Sequence, residues 1–331
     1  MTAKYQAAYK SPTGAGDARP TALQIIKDEN LEGKLADKVI FITGCSSGIG
    51  IETARTLFTT GATLYLTARN LDKAEAAIPD LIRSERVHIL ELDLGSLESV
   101  RACAKNFLSK SQKLNIFIGN AGVMACPEGR TKDGFETQFG TNHLGHFLLF
   151  NLLKSPLLKS TSPEFNSRVV LLSSSGHRYA EPNFDNLNCE GSYNEILAYG
   201  ASKTANLWTA NQIDRLYGPA GLHAFAVHPG AIDSDLQRHL SDDMKAAVIT
   251  DELIRLYQTP QQGAATTVWA ATAKELDGLG GKYIEQCHIS EPWVEKDGQW
   301  APGYGVWAYA PEKEKKLWLK SLELVGLKSD V

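Results

Sequence analysis

The sequence predicts a doubly wound α/β fold, with one parallel sheet of about seven strands and helices on both faces. Three observations carry that expectation. From Lys38 onward, short apolar runs alternate with helix-like runs, the pattern of successive strand–helix units. The apolar runs are nearly continuous rather than alternating, which marks strands covered on both faces. The first of them, VIFIT, passes through a glycine-rich turn, GCSSGIG, into a helix, and right-handed crossovers of that kind put ligands at the carboxyl ends of the strands.

The elements follow in order. Residues 1–37 make an N-terminal arm and a short helix. The first twenty or so are rich in Gly, Pro and Ala and read as a loose arm, whereas TALQIIKDENLEGKLA forms the helix, packed on the domain or on a partner subunit. KVIFIT is the first strand, and a helix runs from Gly48 to about Thr60. ATLYLTA is the second strand, followed by the polar helix around LDKAEAAIPDLI. RVHILEL and the helix SLESVRACAKNFLSK come next, then LNIFIGN and a long helix through NHLGHFLLFNLL. RVVLLSSS is the fifth strand, and its helix carries Tyr199 and Lys203. HAFAVHPG is the sixth and GKYIEQ the seventh. With no linker, repeat or low-complexity block, residues 38–290 read as a single Rossmann-type catalytic domain, with 234–257 inserted as a helical cap. Residues 291–331 read as an aromatic-rich extension ending in a helix. Its Trp293, Trp300, Tyr304, Trp307 and Tyr309 are dense for a surface segment. They suit a flap over an apolar substrate mouth, a subunit contact, or packing across the sheet.

Composition narrows the function classes. The 331 residues are 43% hydrophobic and 22% charged, enough to build a large core. A net charge of −4 without a long Lys/Arg run gives no footing for a nucleic acid or an anionic membrane. The five cysteines are scattered and odd in number, which suits reduced, packed thiols better than a disulfide framework or a metal site. The opening MTAKYQAAYKSPTGAGDARP is polar and offers neither a signal h-region nor a membrane span, so a soluble cytoplasmic protein is expected.

The chemistry sits in two places. In the glycine-rich turn, Gly44 allows the tight bend, Gly48 removes a side chain where a pyrophosphate approaches, and Gly50 lets the helix pack on the sheet. The helix-start N–H groups bind phosphate, and Ser46, Ser47 and Ile49 fall within the same cradle. The second strand ends in Ala68 and Arg69 with no carboxylate until Asp72. An arginine there clamps a 2′-phosphate that an aspartate would repel, so NADP(H) is expected over NAD(H). Asp93 and Leu94 follow the third strand, where an adenine is bonded and packed, although an N-cap role competes for Asp93. Asn120, Ala121 and Gly122 follow the fourth strand and are small enough for backbone to pass close to the cofactor, or simply to turn.

The second place is YGASK. Tyr199 and Lys203 lie one helical turn apart on one face, and an ammonium beside a phenol favours phenolate, so that the pair can pass a proton to or from an oxygen. A useful catalyst near neutrality needs the phenol lowered by roughly 2–3 pH units from about 10. Ser173, Ser174 and Ser175 close the fifth strand, where a hydroxyl can bond a reacting carbonyl or cap a turn.

TGCSSGIG, NAG, LLSS, YGASK and HPG, in that order, resemble the short-chain dehydrogenase/reductase superfamily over roughly residues 38–290. The stretches GTNHLGHFLL, SSSGHRY and AVHPGAIDSDL look most like its retinol-dehydrogenase-like and WW-domain oxidoreductase-like group. The resemblance implies that Ser174 polarises the substrate oxygen and that Tyr199 is the acid/base. By the same resemblance Lys203 bonds the nicotinamide ribose and lowers the phenol, and Asn142 helps hold a water leading from Lys203. It further implies that Pro229 and Gly230 face the nicotinamide, that Ser234 stands near the carboxamide and that Thr43 braces the first turn. Many retinol dehydrogenases of this kind are membrane-bound through an N-terminal anchor, which the polar start here does not resemble, so a soluble biosynthetic reductase of a fairly hydrophobic small molecule is expected, with a homo-oligomer in keeping with the relatives. Two other readings of the same fold stand beside it: a non-catalytic NADP-binding regulatory or scaffold protein, and a tailoring dehydratase, epimerase or cyclase.

Overall fold

The computed structural model describes residues 4–328. In chain order its first elements are α1 (Gln6–Tyr9), α2 (Ala22–Asp28), β1 (Val39–Thr43), α3 (Ile49–Phe58), β2 (Thr63–Ala68), α4 (Leu71–Ala77), β3 (Val87–Glu91), α5 (Leu97–Lys110) and β4 (Ile116–Gly119). A π-helical turn, Phe139–Leu144, opens into α6 (Gly145–Lys159), followed by β5 (Ser167–Leu172), α7 (Glu195–Tyr217) and β6 (Leu222–His228). The remainder comprises β7 (Ala231–Ile232), α8 (Asp242–Val248), α9 (Asp251–Leu256), β8 (Tyr257–Gln258), α10 (Pro260–Gly263), α11 (Ala265–Thr272), β9 (Lys282–Glu285), β10 (His288–Ile289) and α12 (Pro311–Leu324).

Eight strands form one sheet in the order β10-β9-β6-β5-β4-β1-β2-β3. Seven run parallel, and β10 returns antiparallel on β9. The chain reverses its direction of winding between β1 and β4, so a crevice opens at the carboxyl ends of these central strands. One face of the sheet packs on α5, α6, α7 and α12 around Phe41, Phe117, Leu149 and Trp208. The other packs on α2, α3 and α11 around Ile40, Ile42, Phe225 and Val268. Strand residues bury on alternate faces as the period of two requires: along β6, Ala224 and Ala226 face the first cluster, and Phe225 and Val227 the second.

Where structure and expectation differ, local causes are visible. The eighth strand, β10, is joined to β9 by Gln286 and Cys287, both with left-handed backbone (φ 52° and 54°). That is the two-residue hairpin turn usually signalled by Asn-Gly, here made without glycine. The helix expected over LDKAEAAIPDLI stops at Ala77, because Pro79 disfavours helical geometry at Ile78, which takes φ −131°, ψ 47°. The small sheet of β7 and β8 is two residues long on each side and leaves no periodic trace in the sequence.

The N-terminal stretch read as loose is packed. Tyr5 and Tyr9 are buried, and the Tyr5 hydroxyl donates to Asp28 at 2.9 Å. Arg19 is buried as well and spends its guanidinium on Asp17 and on the carbonyls of Gly14, Leu256 and Tyr257. Gly14 and Gly16, at φ 121° and 86°, provide the bend that brings these groups round; glycine here marks a defined turn. The stretch 234–257 holds a short 3-10 helix, Asp235–His239, with α8 and α9. Of the C-terminal aromatics, Trp307 donates its indole N–H to the carbonyl of His177, and Tyr309 accepts from the Tyr283 N–H. Further on, Trp318 of α12 is buried edge-on against Phe147. Among the described residues no helix is long and apolar enough to cross a membrane, and no cluster of His, Cys, Asp and Glu is placed to hold a metal.

Candidate active site

A cavity of about 840 Å³ lies along the carboxyl edge of the sheet, running from the glycine-rich turn to the C-terminal segment. Of the candidate site residues read from sequence, all line it except Thr43 and Asn142.

The cofactor end is shaped by missing side chains. Gly44 has φ 75°, and a Cβ on it would lie 2.8 Å from Ala121. A Cβ on Gly50 would lie 2.2 Å from the Gly44 carbonyl oxygen, so the turn closes only with glycine at both places. At Gly48, φ 64°, the nearest atom to such a Cβ is Ser234 Cβ at 3.9 Å; the space in front of the turn is open and faces Ser234. Helix α3 starts at Ile49 with no side-chain cap, leaving its first N–H groups for an anion. Thr43 accepts from the Ala121 N–H at 2.9 Å and bonds His146 Nε2 at 2.8 Å, which ties β1 to the loop after β4. Asn120 donates to the carbonyls of Thr43 and Gly44 and leaves its buried Oδ1 without a partner. Arg69 is exposed at the cavity rim and has no hydrogen bond or ion pair with any described residue, while Lys73 is paired with Asp235 at 3.5 Å. The cap of α5 is Ser96, not Asp93; Asp93 accepts from the Gly95 N–H and pairs with Lys132 at 3.2 Å. These residues fit a dinucleotide: a glycine-lined turn at a helix start, an open space before it, and an exposed arginine without a protein partner at the cavity rim.

At the other end, Ser174 accepts from the Gly176 N–H at 3.0 Å as the cap of the 3-10 turn Ser175–Arg178. The Ser174 hydroxyl also pulls the Tyr199 phenol down. Burial outweighs this and pushes Tyr199 up to about 12. Burial also brings Lys203 down from 10.5 to about 8. In the chain by itself both displacements run opposite to the acidified phenol expected from the Tyr/Lys spacing. Lys203 Nζ lies 5.5 Å from the centroid of the Tyr199 ring and donates to the Leu172 carbonyl at 3.1 Å, and in a buried pair desolvation favours the neutral form of each group.

Asn142 sits in the π-helical turn. Its Oδ1 accepts from the Val123 N–H at 2.8 Å, and its Nδ2 donates to the Val123 carbonyl and to Ser202. The side chain thus braces the loop after β4. A Cβ on Gly122 would meet both Asn142 Oδ1 and Lys203 Nζ at 3.3 Å, so glycine keeps this corner passable. Pro229 and Gly230 are held by Gln258, whose Nε2 donates to the Pro229 carbonyl at 3.2 Å. Gly230 has φ 98°, and a Cβ there would collide with the same Nε2.

Several lining residues escaped the sequence reading. Gln258 stands 28 positions after Gly230 and carries no motif. Arg178 donates to the carbonyls of Ala301 and Gln299 and stacks on Trp293, fixing the C-terminal segment beside Ser174. His228 and Glu285 also line the cavity; His228 directly precedes Pro229 in HPG, and Glu285 lies next to the end of the seventh expected strand, so their place near strand ends was the available signal.

Residues 38–245 match the family model described as short chain dehydrogenase. The chain is 48% identical over 325 residues to the short-chain dehydrogenase/reductase prx1 of Penicillium roqueforti, covering 98% of this chain and 95% of that protein. It is 38% identical to retinol dehydrogenase 11 of Mus musculus, covering 90% and 89% of the two chains. Among solved structures, a protein from Mycobacterium paratuberculosis shares 31% identity and superposes with a TM-score of 0.66 over 98% of both chains.

Proposed function

The chain belongs to the short-chain dehydrogenase family and is an oxidoreductase; from that premise we propose that it interconverts a carbonyl and an alcohol on a fairly hydrophobic small molecule, with NADP(H) as cofactor. The observation that carries the reading is the meeting of Ser174, Tyr199 and Lys203 on one cavity wall, in a cavity that begins at the glycine-rich turn.

The dinucleotide, when bound, supplies or accepts a hydride. The chain's own groups handle the oxygen. Ser174 donates a hydrogen bond to the substrate oxygen and orients it, with the phenol of Tyr199 beside it. A phenol held at about 12 is protonated throughout the neutral range and is ready to give its proton to that oxygen, which suits reduction. Lys203 has its ammonium near the ring and, at about 8, exchanges protons near neutrality. Asn142 and Thr43 hold the loop after β4 against these groups. The preference for NADP(H) rests on Arg69, a guanidinium without a protein partner at the end of β2, and on the lack of a carboxylate there. Apolar cavity residues such as Val123, Ile196, Met244 and Leu253 favour a hydrophobic substrate.

The test is NADPH oxidation, followed by its absorbance, over a panel of ketones, aldehydes and quinones, with NADH in parallel. Turnover with NADPH that disappears in Tyr199→Phe supports the reading. Tight NADPH binding with no carbonyl reduced overturns it.

A further inference from the structure

One part of the cavity wall brings two polar side chains together at the ends of adjacent strands. His228 closes β6 and Glu285 closes β9, and the two are register partners on adjacent parallel strands. Their side chains therefore leave the same face of the sheet, the face on which Tyr283 packs and which α7 covers. Both residues line the cavity. The imidazole of His228 makes no hydrogen bond with any described residue, and its Nδ1 is buried without a partner. Glu285 accepts from the Ser290 hydroxyl and, at 2.6 Å, from the Gly303 N–H, both at Oε1; no donor among the described residues bonds its Oε2. A buried polar atom left unpaired, as His228 Nδ1 is, costs about 1–3 kcal/mol, so native chains seldom keep one without a use. The cavity also presents apolar side chains, Leu240, Met244, Leu253 and Trp300, able to hold the rest of a hydrophobic substrate.

We infer that His228 and Glu285 form a polar subsite for a hydroxyl group of the substrate remote from its reacting carbon, so that the preferred substrate is a hydroxylated carbonyl compound or the matching diol. The inference deepens the proposed carbonyl–alcohol reaction and rests on it. A hydroxyl donates one hydrogen bond and accepts others: its O–H reaches the carboxyl oxygen of Glu285, and its lone pair accepts from the imidazole N–H of His228. Burial holds His228 far down, at about 3, so the ring is neutral with one N–H. Burial also raises Glu285, and a hydroxyl, which both donates and accepts, suits the carboxyl in either protonation state. The Arg178 guanidinium acts on both groups and disfavours an ammonium in their midst, while the Glu285 carboxyl disfavours a carboxylate or phosphate. A neutral hydroxyl suits both neighbours. An alkyl chain in its place would leave both polar groups unpaired, the situation in which a site built for a hydroxyl rejects the analogue lacking it.

The experiment uses pairs of ketones that differ by one hydroxyl several carbons from the carbonyl, assayed with NADPH. At least one hydroxylated member should exceed its deoxy partner tenfold or more in kcat/KM. Glu285→Gln keeps an acceptor for Gly303, and His228→Phe keeps ring volume. Each should lower kcat/KM at least tenfold more for the hydroxylated member than for the deoxy one, with thermal unfolding showing both variants folded. His228→Phe also removes an unpaired buried nitrogen, so its melting temperature should not fall. Equal losses on both members, or no pair preferred by the native enzyme, overturns the subsite. If the native enzyme reduces no member of any pair, the proposed reaction fails instead. The subsite is then judged by calorimetric titration of the hydroxylated and deoxy probes into the NADP-loaded protein: tighter binding of the hydroxylated probe that Glu285→Gln abolishes supports it, and equal binding overturns it.

Discussion

The ammonium of Lys203 lies over the face of the Tyr199 ring, 5.5 Å from its centroid, and gives its hydrogen bond to the Leu172 carbonyl instead of the phenol. Each group is buried, and each is displaced toward its neutral form. Tyr199→Phe should leave cofactor affinity within a few-fold of native and reduce turnover by roughly 10³-fold, within the usual range for loss of a general acid. Fluorescence titration with NADPH and steady-state kinetics check the two halves separately. A Phe variant keeping a tenth of native turnover rules out the phenol as the proton donor.

Lys203 also makes a stability prediction. Its fall from 10.5 to about 8 corresponds to roughly 3 kcal/mol by which the charged folded state is disfavoured at neutral pH. Between pH 8 and 10.5 the unfolded chain holds the proton that the native chain has released, so this group's contribution to stability rises with pH across that window. Lys203→Met should therefore unfold at a higher temperature than native at pH 7 while losing activity. A variant that melts lower contradicts the strained ammonium.

Arg69 should set cofactor choice. Arg69→Ala removes a charge-assisted contact of about 1.5–3 kcal/mol, so KM for NADPH should rise about 10- to 100-fold and KM for NADH change little. Equal change in both would place Arg69 outside cofactor discrimination.

Four histidines in desolvated surroundings should make the fold acid-sensitive. Burial holds His143 and His228 at about 3 and His146 and His177 at about 4. Below pH 6.5 the unfolded chain takes up protons that the native chain refuses, so stability falls as pH drops from 6.5 toward 4. The slope is about 1.4 kcal/mol per pH unit for each histidine. Thermal denaturation from pH 7 to 5 should show a steep loss that His143→Gln makes shallower. A flat profile would mean that these rings are not held neutral.

Arg19 fastens the N-terminal arm to the last turn of α9 and to β8, which pairs with β7 just after Pro229 and Gly230. Arg19→Ala removes the charge-assisted bond to the part-buried Asp17 carboxylate, a cost of about 1.5–3 kcal/mol. Arg19→Lys cannot reproduce the several directed bonds of the guanidinium. Both should lower the melting temperature and raise substrate KM more than they lower kcat, and limited proteolysis should cut within 235–257 sooner than in the native protein. Unchanged kinetics in Arg19→Ala would show that the arm supports only the fold.

What the sequence by itself determined was whatever a short stretch of chain enforces locally. Gly44, Gly48 and Gly50 sit where backbone geometry admits only glycine or leaves room for a ligand, and the four-residue spacing of Tyr199 and Lys203 fixes their shared helical face. Continuous apolar runs specified the parallel sheet for the same reason, since burial on both faces leaves a direct imprint on composition. Tertiary structure alone decided the rest, because burial and long-range pairing have no local signature. It set the direction in which Tyr199 and Lys203 are displaced, since desolvation depends on everything packed around them. It turned a glycine-rich arm into a buttress through Arg19, and spent Asn142 on Val123 and Ser202. It also brought His228 and Glu285, 57 residues apart in the chain, side by side at one edge of the sheet.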